Sequence, residues 1–521
     1  MNTLENNNLK TFVYSYFSIN FFFFIFQLIL SNTLNDISCL ILLFISNIFI
    51  LFYCFNKDYF FAFPISLLMI FFSHFINLGG SIIFKSIEKS VITENLEYPF
   101  ETISVLTLIH ISIIIGHYFY RKSNVSQKVK KKIFFQLKNL NLISFTNINY
   151  LILISIFVIL MRMFIYDLSI TPIDRASYVT KDLNIFQDIS KGLGFFVYMP
   201  VVIFFSNFLY NYNHFKFRYL YIFLYFISLI FISFSTNTRS VIFDPIFLIL
   251  IILMILFLFN KIEFKKYFLR IIILCILALP IANFFENLST NLANQRTFYS
   301  DRTPIENIIE VISSISSNEK NNISQMLKES NTTEFFGENY YKSSLLNRIN
   351  ILLINDNFIY IKKNISNYQI KNFTELQKNK IISIVPQPII NLFSDSFNKR
   401  NYLFSTASIF YKEFSEDNTS LGQGSALISL YIIFDNWVYL ICLFFFIPFF
   451  IIFDSFYDNK NNVFSPFILM FFYTTGYGIM KFLAISEIYM WFEFTFRVIP
   501  QSILIFIILR IILNLINKRL N

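Results

Sequence analysis

The chain alternates between long apolar stretches and short polar connections. A helix rising ~1.5 Å per residue needs about 20 apolar residues to cross the hydrocarbon core of a bilayer. Stretches of that length predict about a dozen membrane-spanning helices. Their approximate bounds are 11–30, 37–55, 59–77, 102–120, 149–166, 192–211, 218–235, 240–260, 267–285, 430–453, 464–482 and 498–516. The pattern therefore predicts spans one to nine within residues 1–285, a large loop at 286–424, and the last three spans within 425–521.

The composition supports lipid as the solvent for most of the chain. Of 521 residues, 55% are hydrophobic, 72 are Phe and 30 are Tyr, and the mean hydropathy is +0.58. A water-soluble protein of this size cannot bury so much apolar surface. Residues 11–30 lack a basic start followed by a small-residue cleavage site, so we expect a retained span there. The fold class predicted is an all-α polytopic membrane protein.

Lysine and arginine in the short connections predict the orientation of the spans. The connection 121–148 carries seven basic residues and no acidic one, so the positive-inside rule makes it cytoplasmic. Counting outward from it places both termini in the cytoplasm and residues 286–424 outside. That large loop carries 14 basic and 14 acidic residues, so the net charge of +10 belongs to the opposite face. The positive charge thus indicates topology, and we expect no nucleic-acid partner.

The large external loop is predicted to fold as a mostly helical cap. The run Thr303-Pro304-Ile305-Glu306 is typical of a capping box with proline at the first helical position. Further on, apolar residues repeat at helical spacing: Leu345, Leu346, Ile349, Leu352 and Leu353.

Several kinds of chemistry have no motif in the chain. It contains no phosphate-cradling glycine-rich loop, HExxH, CxxC or GxSxG motif, and only 10 glycines. ATP-driven transport by this chain alone is therefore not expected. The four cysteines all lie in apolar stretches, where they form neither a disulfide framework nor a metal set. No cofactor and no metal is predicted.

Cationic residues recur along the predicted outer face. Arginine offers a planar fork that matches phosphate oxygens and stays charged at any working pH. Arg239 stands out because small hydroxylic residues, Thr238 and Ser240, flank it and Asp244 lies about one turn deeper. The others are Arg162, Arg175, Arg296, Arg302, Lys399, Arg400, Lys481 and Arg497. The alternative for the interfacial ones is a snorkelling anchor, and for Arg296 and Arg302 an ordinary loop ion pair.

Carboxylates at the same face are candidates for a general base. Glu286 lies where the ninth predicted span leaves the membrane, and Asp301 precedes Arg302. A base must face the hydroxyl group whose proton it accepts. A solvated loop carboxylate is the alternative for both residues. None of the four histidines lies in the large loop.

Three local motifs add to this topology. Arg239 lies in STNTRSVIFDPIFLIL, residues 422–445 read GQGSALISLYIIFDNWVYLICLFF, and Arg497 opens the last span. Together they resemble the Wzy-type oligosaccharide repeat-unit polymerases, also called O-antigen polymerases. The second motif departs from the family, which often has an acidic residue before its aromatic and a glycine after it. Here Ser429 and Asp435 occupy the nearest positions.

The resemblance implies a fold and a reaction. The fold is a GT-C-like helical bundle with a large periplasmic loop in the bacterial inner membrane. The enzyme would be a membrane glycosyltransferase that passes a glycan from undecaprenyl pyrophosphate to the next lipid-linked repeat unit, without nucleotide sugar or metal. Arg239 and Arg296 would contact the pyrophosphate, with Glu286 as a candidate base. Further substrate contacts would come from Arg175, Arg302, Arg400 and Arg497. A chain-length regulator protein is the implied partner.

Three other functions remain open from the sequence. An O-antigen ligase has similar topology, but ligases as a family use a histidine in the large external loop. A lipid-linked oligosaccharide flippase also tends to have about twelve spans, but lacks so large a folded loop and lines its cavity with mid-membrane charge. A GT-C transferase with an Asp in its first external loop would have only Asp36 there.

Overall fold

A computed structural model of the chain describes residues 3–143, 148–167, 193–210, 218–236, 240–261, 340–341, 346–393, 397–402, 424–473 and 478–520. Most of these residues are helical. In the first half the α-helices are α1 (Thr3–Leu30), α2 (Leu34–Cys54), α3 (Lys57–Phe60), α4 (Pro64–His74), α5 (Gly80–Ile87), α6 (Pro99–Lys122), α7 (Asn124–Asn139), α8 (Ile148–Met161), α9 (Met199–Phe204), α10 (Ser206–Tyr210), α11 (Arg218–Thr236) and α12 (Ser240–Leu258). In the second half they are α13 (Leu346–Ile349), α14 (Leu352–Asn364), α15 (Asn367–Ile382), α16 (Gln387–Ile390), α17 (Ala426–Phe434), α18 (Val438–Phe445), α19 (Ile447–Asp454), α20 (Pro466–Leu469), α21 (Ile488–Phe492) and α22 (Ile499–Leu520).

Short turns and one small hairpin join these helices. The π-helical turns are Phe75–Gly79, Arg162–Asp167 and Glu493–Val498. The 3-10 turns are Gly194–Tyr198, Lys399–Tyr402, Asp435–Trp437 and Phe482–Ala484. Strands β1 (Tyr457–Asp458) and β2 (Val463–Phe464) pair antiparallel, with Tyr457 opposite Phe464.

The helices confirm a multi-pass, all-α membrane protein. Seven helical segments of the described residues are long and apolar enough to cross a bilayer, and each matches a predicted span. They are Asn7–Leu30, Leu34–Cys54, Pro64–Ile87, Pro99–Lys122, Val241–Leu258, Ala426–Asp454 and Ile488–Ile512. Three shorter apolar helices, Leu151–Phe164, Gly194–Phe204 and Tyr219–Ser233, match the predicted spans five, six and seven. The ninth predicted span, 267–285, lies outside the described residues.

The eleventh predicted span, 464–482, is not a continuous helix, so that part of the prediction is wrong. Its described residues form the end of β2, α20 and the start of the turn Phe482–Ala484, and residues 470–473 and 478–481 have irregular backbone. Non-helical backbone survives at membrane depth only where protein buries it. Accordingly, Phe471, Phe472 and Ile479 in the irregular part are all buried. A hydropathy profile looks the same for a lipid-facing helix and for such a segment, because both are apolar.

Two other predicted spans have interruptions with local causes. Pro64 lies at the first position of α4, where its missing N–H costs no hydrogen bond, so the third span begins there and runs on to Ile87. In the tenth, Asp435 has a φ of 50°, which ends α17 before α18 begins. Gly116 allows α6 to lie against α18, because a Cβ there would be only 2.1 Å from the Leu443 carbonyl oxygen.

The bundle has two chemically different ends. The basic side carries α7, which is joined to the bundle by Lys130, whose Nζ donates to the Ala62 carbonyl at 3.0 Å. Its exposed residues include Lys128, Lys131, Lys132 and Lys138. The opposite end, called here the loop side, carries the described helices of the large loop, α13 to α16.

The large loop packs into the bundle on this side. Asn350 Nδ2 and the Ile351 N–H donate to the carbonyl groups of Phe75 and Ile76 in the π-helical turn. The predicted helical run is confirmed from Leu346 to Leu353 as two helices, α13 and α14, with a break between them at this contact, while Leu345 lies outside the described residues. The predicted capping box at Thr303 lies outside the described residues.

The orientation predicted from the basic residues can be tested by labelling intact cells. We expect a membrane-impermeant maleimide to modify Lys371→Cys, which is exposed on α15, but to reach Lys132→Cys on α7 only after permeabilisation. The parent chain corrects for native cysteines, of which Cys39, Cys54 and Cys442 are buried. Labelling of position 132 in intact cells without labelling of position 371 would reverse the topology.

Candidate functional site at the loop side

Most of the residues predicted to bind or transform a substrate lie outside the described residues. These are Arg239, Arg296, Glu286, Arg175 and Arg302. Arg400 lies in the 3-10 turn Lys399–Tyr402, and its side chain is also outside the description. Arg497 is described: it lies in the π-helical turn Glu493–Val498 at the loop side of the last span.

Arg497 belongs to a small charged cluster. Its Nη1 lies 3.1 Å from Glu493 Oε1, one turn earlier, and its side chain is 44% exposed. The pKa of the half-buried Lys399 ammonium group is lowered. Burial is the larger cause, and the positive charge of the nearby Arg497 is the second. Glu493 partly offsets this by favouring the charged lysine. Arg497 thus pairs with Glu493, and Lys399 lies within electrostatic range of both.

A second polar cluster lies inside the bundle, below the predicted position of Arg239. Asp244 is buried one turn into α12 and accepts a hydrogen bond from Tyr198 Oη at 3.0 Å. Arg162 lies within electrostatic range of Tyr198 and Tyr225. Gly194 leaves space for the Arg162 side chain, because a Cβ at residue 194 would be only 2.6 Å from Arg162 Nη1.

Tyr473 connects this interior cluster to the chain near the last span. Asp244 also lies within electrostatic range of Tyr473. The Lys481 ammonium group lies 4.5 Å from the centre of the Tyr473 ring, as a cation over an aromatic face. Arg162, Asp244 and Lys481, which are far apart in the sequence, therefore line one region. Hydroxyls and charges in that region could bind polar groups of a substrate.

Asp356 anchors α14 to the bundle. Its buried carboxylate accepts hydrogen bonds from the N–H groups of Glu97 and Tyr98, at 2.6 and 3.1 Å, and from Thr102 Oγ1 at 2.6 Å. Burial raises the pKa of this carboxyl, and the hydrogen bonds oppose the shift. An anion at the start of α6 also meets the positive end of its dipole. The loop is thus fixed at a helix terminus.

A buried ion pair holds α15 against the last span. Lys380 Nζ lies 2.6 Å from Glu487 Oε2, and the two side chains are 1% and 5% exposed. Burial lowers the pKa of Lys380, while the Glu487 carboxylate favours its charged form. Removing one partner of such a pair leaves an uncompensated buried charge, which costs about 3–5 kcal/mol.

A Ser, His and Asp set also exists, but at the basic side. Ser66 Oγ donates to Asp454 at 2.6 Å and lies 2.9 Å from His117 Nε2, while Tyr53 Oη lies 2.9 Å from His117 Nδ1. In a hydrolytic triad the carboxylate orients the histidine, whereas here it binds the serine directly. The three side chains are buried, so we interpret them as a structural network.

The contacts of Asp356, Lys380 and Glu487 could not be found from the sequence. Asp356 and Glu97 are 259 residues apart, and no local pattern marks either. Glu487 offered a weak signal, since it is a lone acid immediately before an apolar helix. Among the described residues, no three His, Cys, Asp or Glu side chains come together as metal ligands.

No protein-family model, curated protein or solved structure is significantly similar to the chain. The functional interpretation therefore depends on the residues themselves.

The role of Asp356 predicts a measurable loss of stability. Asp356→Ala would leave two backbone N–H groups and the Thr102 hydroxyl without their acceptor, at about 1–3 kcal/mol for each unsatisfied buried group. We expect a lower Tm in detergent and faster hydrogen exchange over residues 94–104. Glu375→Ala, an exposed carboxylate on the next helix, is the control and should change neither. An unchanged Tm for Asp356→Ala would show that the contact does not anchor the loop.

Proposed function

We propose that the chain is a polymerase of lipid-linked oligosaccharide repeat units of the Wzy type. The observation that carries the proposal is the charged cluster at the loop side, in which Arg497 pairs with Glu493 and Lys399 lies within electrostatic range of both. A lipid pyrophosphate would bind to these cations through its phosphate oxygens. Arg239 and Arg296, with Arg175, Arg302 and Arg400, are proposed to contribute further to the same end of the bundle.

The proposed reaction needs little covalent chemistry from the protein. The bond between the anomeric carbon and the pyrophosphate oxygen breaks, and an acceptor hydroxyl oxygen of the next repeat unit bonds to that carbon. The hydroxyl proton goes to a base, for which Glu286 is the candidate, and the lipid pyrophosphate leaves with its electron pair. Preorganised arginines in a partly desolvated cleft stabilise that departing charge. No metal or nucleotide is required for these steps.

The distribution of buried charges favours this enzyme over the flippase. A transporter of an anionic lipid headgroup needs charge along its path through the membrane. Among the described residues, the buried lysine and acidic side chains lie near the two ends: Lys130, Asp454 and Asp458 at the basic side, and Lys85, Asp244, Asp356, Lys380 and Glu487 at the loop side. The buried ionisable side chains in the middle of the described spans are the histidines His74 and His110. The ligase remains less favoured because the large loop has no histidine.

The decisive variant is Arg239→Ala. We expect it to abolish the ladder of long surface glycan in the native host, leaving single repeat units, because the departing pyrophosphate loses a stabilising charge. Arg239→Lys should keep partial activity. Arg510→Ala is the control, since Arg510 Nη1 contacts the Leu140 carbonyl at the basic side.

The experiment also separates the alternatives. Insertion and Tm of Arg239→Ala must match the parent chain for the result to report function. Long glycan made at the parental level by Arg239→Ala would refute the assignment of this residue. Loss of every repeat unit from the surface on deletion of the gene would instead indicate a ligase or a flippase.

A further inference from the structure

Helix α7 exposes both lysines and apolar side chains at the basic side of the bundle. The exposed apolar residues include Val125 and Val129, at 72% and 42%, and Phe135 at 59%. The exposed lysines are Lys128, Lys131, Lys132 and Lys138. The positive-inside rule accounts for the lysines, but it does not account for apolar side chains exposed beside them.

The first half of α7 is level with the ends of two membrane spans. The span Pro99–Lys122 ends immediately before Ser123, the N-cap residue of α7. Near the middle of α7, Lys130 Nζ donates to the carbonyl group of Ala62, which lies just before the span Pro64–Ile87. The start and the middle of the helix are therefore both at the surface of the bilayer.

The far end of α7 is level with a third span. The carbonyl group of Leu140, just after the helix, accepts a hydrogen bond from Arg510 Nη1 at 3.3 Å, and the span Ile488–Ile512 ends two residues later. The 16 residues of α7 make a helix about 24 Å long. Because its start, middle and end each lie beside the end of a span, α7 runs along the plane of the bilayer.

Around its axis, α7 has three different faces. Ser126, Lys130 and Leu137 are buried on the face that packs on the bundle. At about 100° per residue, Val125 and Val129 lie on one flank of that face. The exposed lysines, with Phe135 among them, lie on the other flank and on the face away from the bundle. The helix thus has a protein-facing side, an apolar side and a cationic side.

This arrangement suits a helix that lies in the membrane interface beside the bundle. The apolar flank of such a helix enters the leaflet, and its cationic face lies among the lipid headgroups. Lysine suits that position because its methylene stem covers apolar surface while its ammonium group reaches the phosphate level. Within the described part of the chain, none of the exposed lysines of α7 makes an ion pair with a protein carboxylate.

The charge of this surface selects an anionic lipid. The connection 121–148 contains seven basic residues and no acidic one, so nothing in it repels a negatively charged headgroup. A lysine held close to an anionic bilayer surface strengthens binding by a factor of about five. Lys128 and Lys132 lie one turn apart and next to the apolar flank, so both can contact the headgroups of lipids that this flank touches.

We propose that α7 is an interfacial helix that binds anionic phospholipids of the leaflet on the basic side. Val125 and Val129 insert among the first carbons of the acyl chains, and Lys128 and Lys132 contact the phosphate groups. Lys131 and Lys138 lie further from the apolar flank, towards water. The inference goes beyond the proposed polymerase activity and does not depend on it.

The orientation of α7 is tested with spin labels on the full-length chain in vesicles. Positions 129 and 131 lie about 200° apart around the helix. A nitroxide on Val129→Cys should be relaxed by oxygen, which concentrates in lipid, and one on Lys131→Cys by a water-soluble nickel chelate. The parent chain corrects for native cysteines, of which Cys39, Cys54 and Cys442 are buried.

Two results of this experiment would overturn the interfacial helix. Equal access of the nickel chelate to both labels would mean that α7 faces water, where only a soluble partner could meet it. Exclusion of both oxygen and nickel from position 129 would mean that protein covers the apolar flank.

The preference for anionic lipid is tested with a tryptophan on the apolar flank. In a Trp437→Phe background, Val125→Trp reports lipid contact, while the buried Trp491 gives a constant signal that the background variant measures. Brominated acyl chains quench tryptophan at contact range. Comparing vesicles in which only phosphatidylglycerol or only phosphatidylcholine is brominated gives the relative binding constant of the two lipids. We expect phosphatidylglycerol to be favoured about fivefold or more, and less at high salt.

A pair of double variants locates this preference on α7. In Lys128→Gln/Lys132→Gln the relative binding constant should fall towards one, while brominated phosphatidylcholine still quenches Val125→Trp. The control Lys371→Gln/Lys378→Gln removes the same charge from exposed positions of α15 and should behave as the parent does.

The lipid site is refuted if the α7 variant keeps the full preference, or if both double variants lose it equally through net charge. Neither assay measures glycan synthesis, so this inference and the proposed polymerase activity can fail separately.

Discussion

Lipid offers no hydrogen bonds to a polypeptide backbone, and this constraint governs the structure. A regular helix satisfies its backbone hydrogen bonds internally, but residues 478–486 pass through the bundle with irregular backbone. There the protein supplies the partners: Ser73 Oγ and Trp491 Nε1 donate to the carbonyl groups of Met480 and Phe482, and Asn77 Nδ2 donates to that of Leu483. The Ala426 N–H donates to the Ile485 carbonyl at 3.0 Å.

The same constraint explains why the large loop enters the bundle. The carbonyl groups of Phe75 and Ile76 in the π-helical turn accept hydrogen bonds from Asn350 and Ile351, which lie between α13 and α14. Gly424 permits the approach at 424–426, since a Cβ there would be 2.5 Å from the Ser486 carbonyl oxygen. The glycine of the second family-like motif therefore has a packing reason. The described part of the large loop therefore belongs to the fold of the bundle.

Charge at the two ends serves different purposes. At the basic side, Asp454 binds Ser66 and Tyr120, and this network is complete and buried. At the loop side, the contacts of Asp356 and Lys380 fix the loop helices, while Arg497 pairs with Glu493 and lies within electrostatic range of Lys399. Cations in that position suit a phosphate-bearing substrate, as the proposed polymerase requires.

The sequence by itself determined that the chain crosses the membrane many times as helices, because apolar length is a local property. It also placed Arg239 just ahead of the eighth predicted span and Arg497 at the outer start of the last one. Only the tertiary structure decided that residues 464–482 are not a helical span, since a buried irregular segment is as apolar as a helix. It alone joined Asp356 to the start of α6 and Lys399 to Arg497, because such pairs connect residues that no sequence period relates.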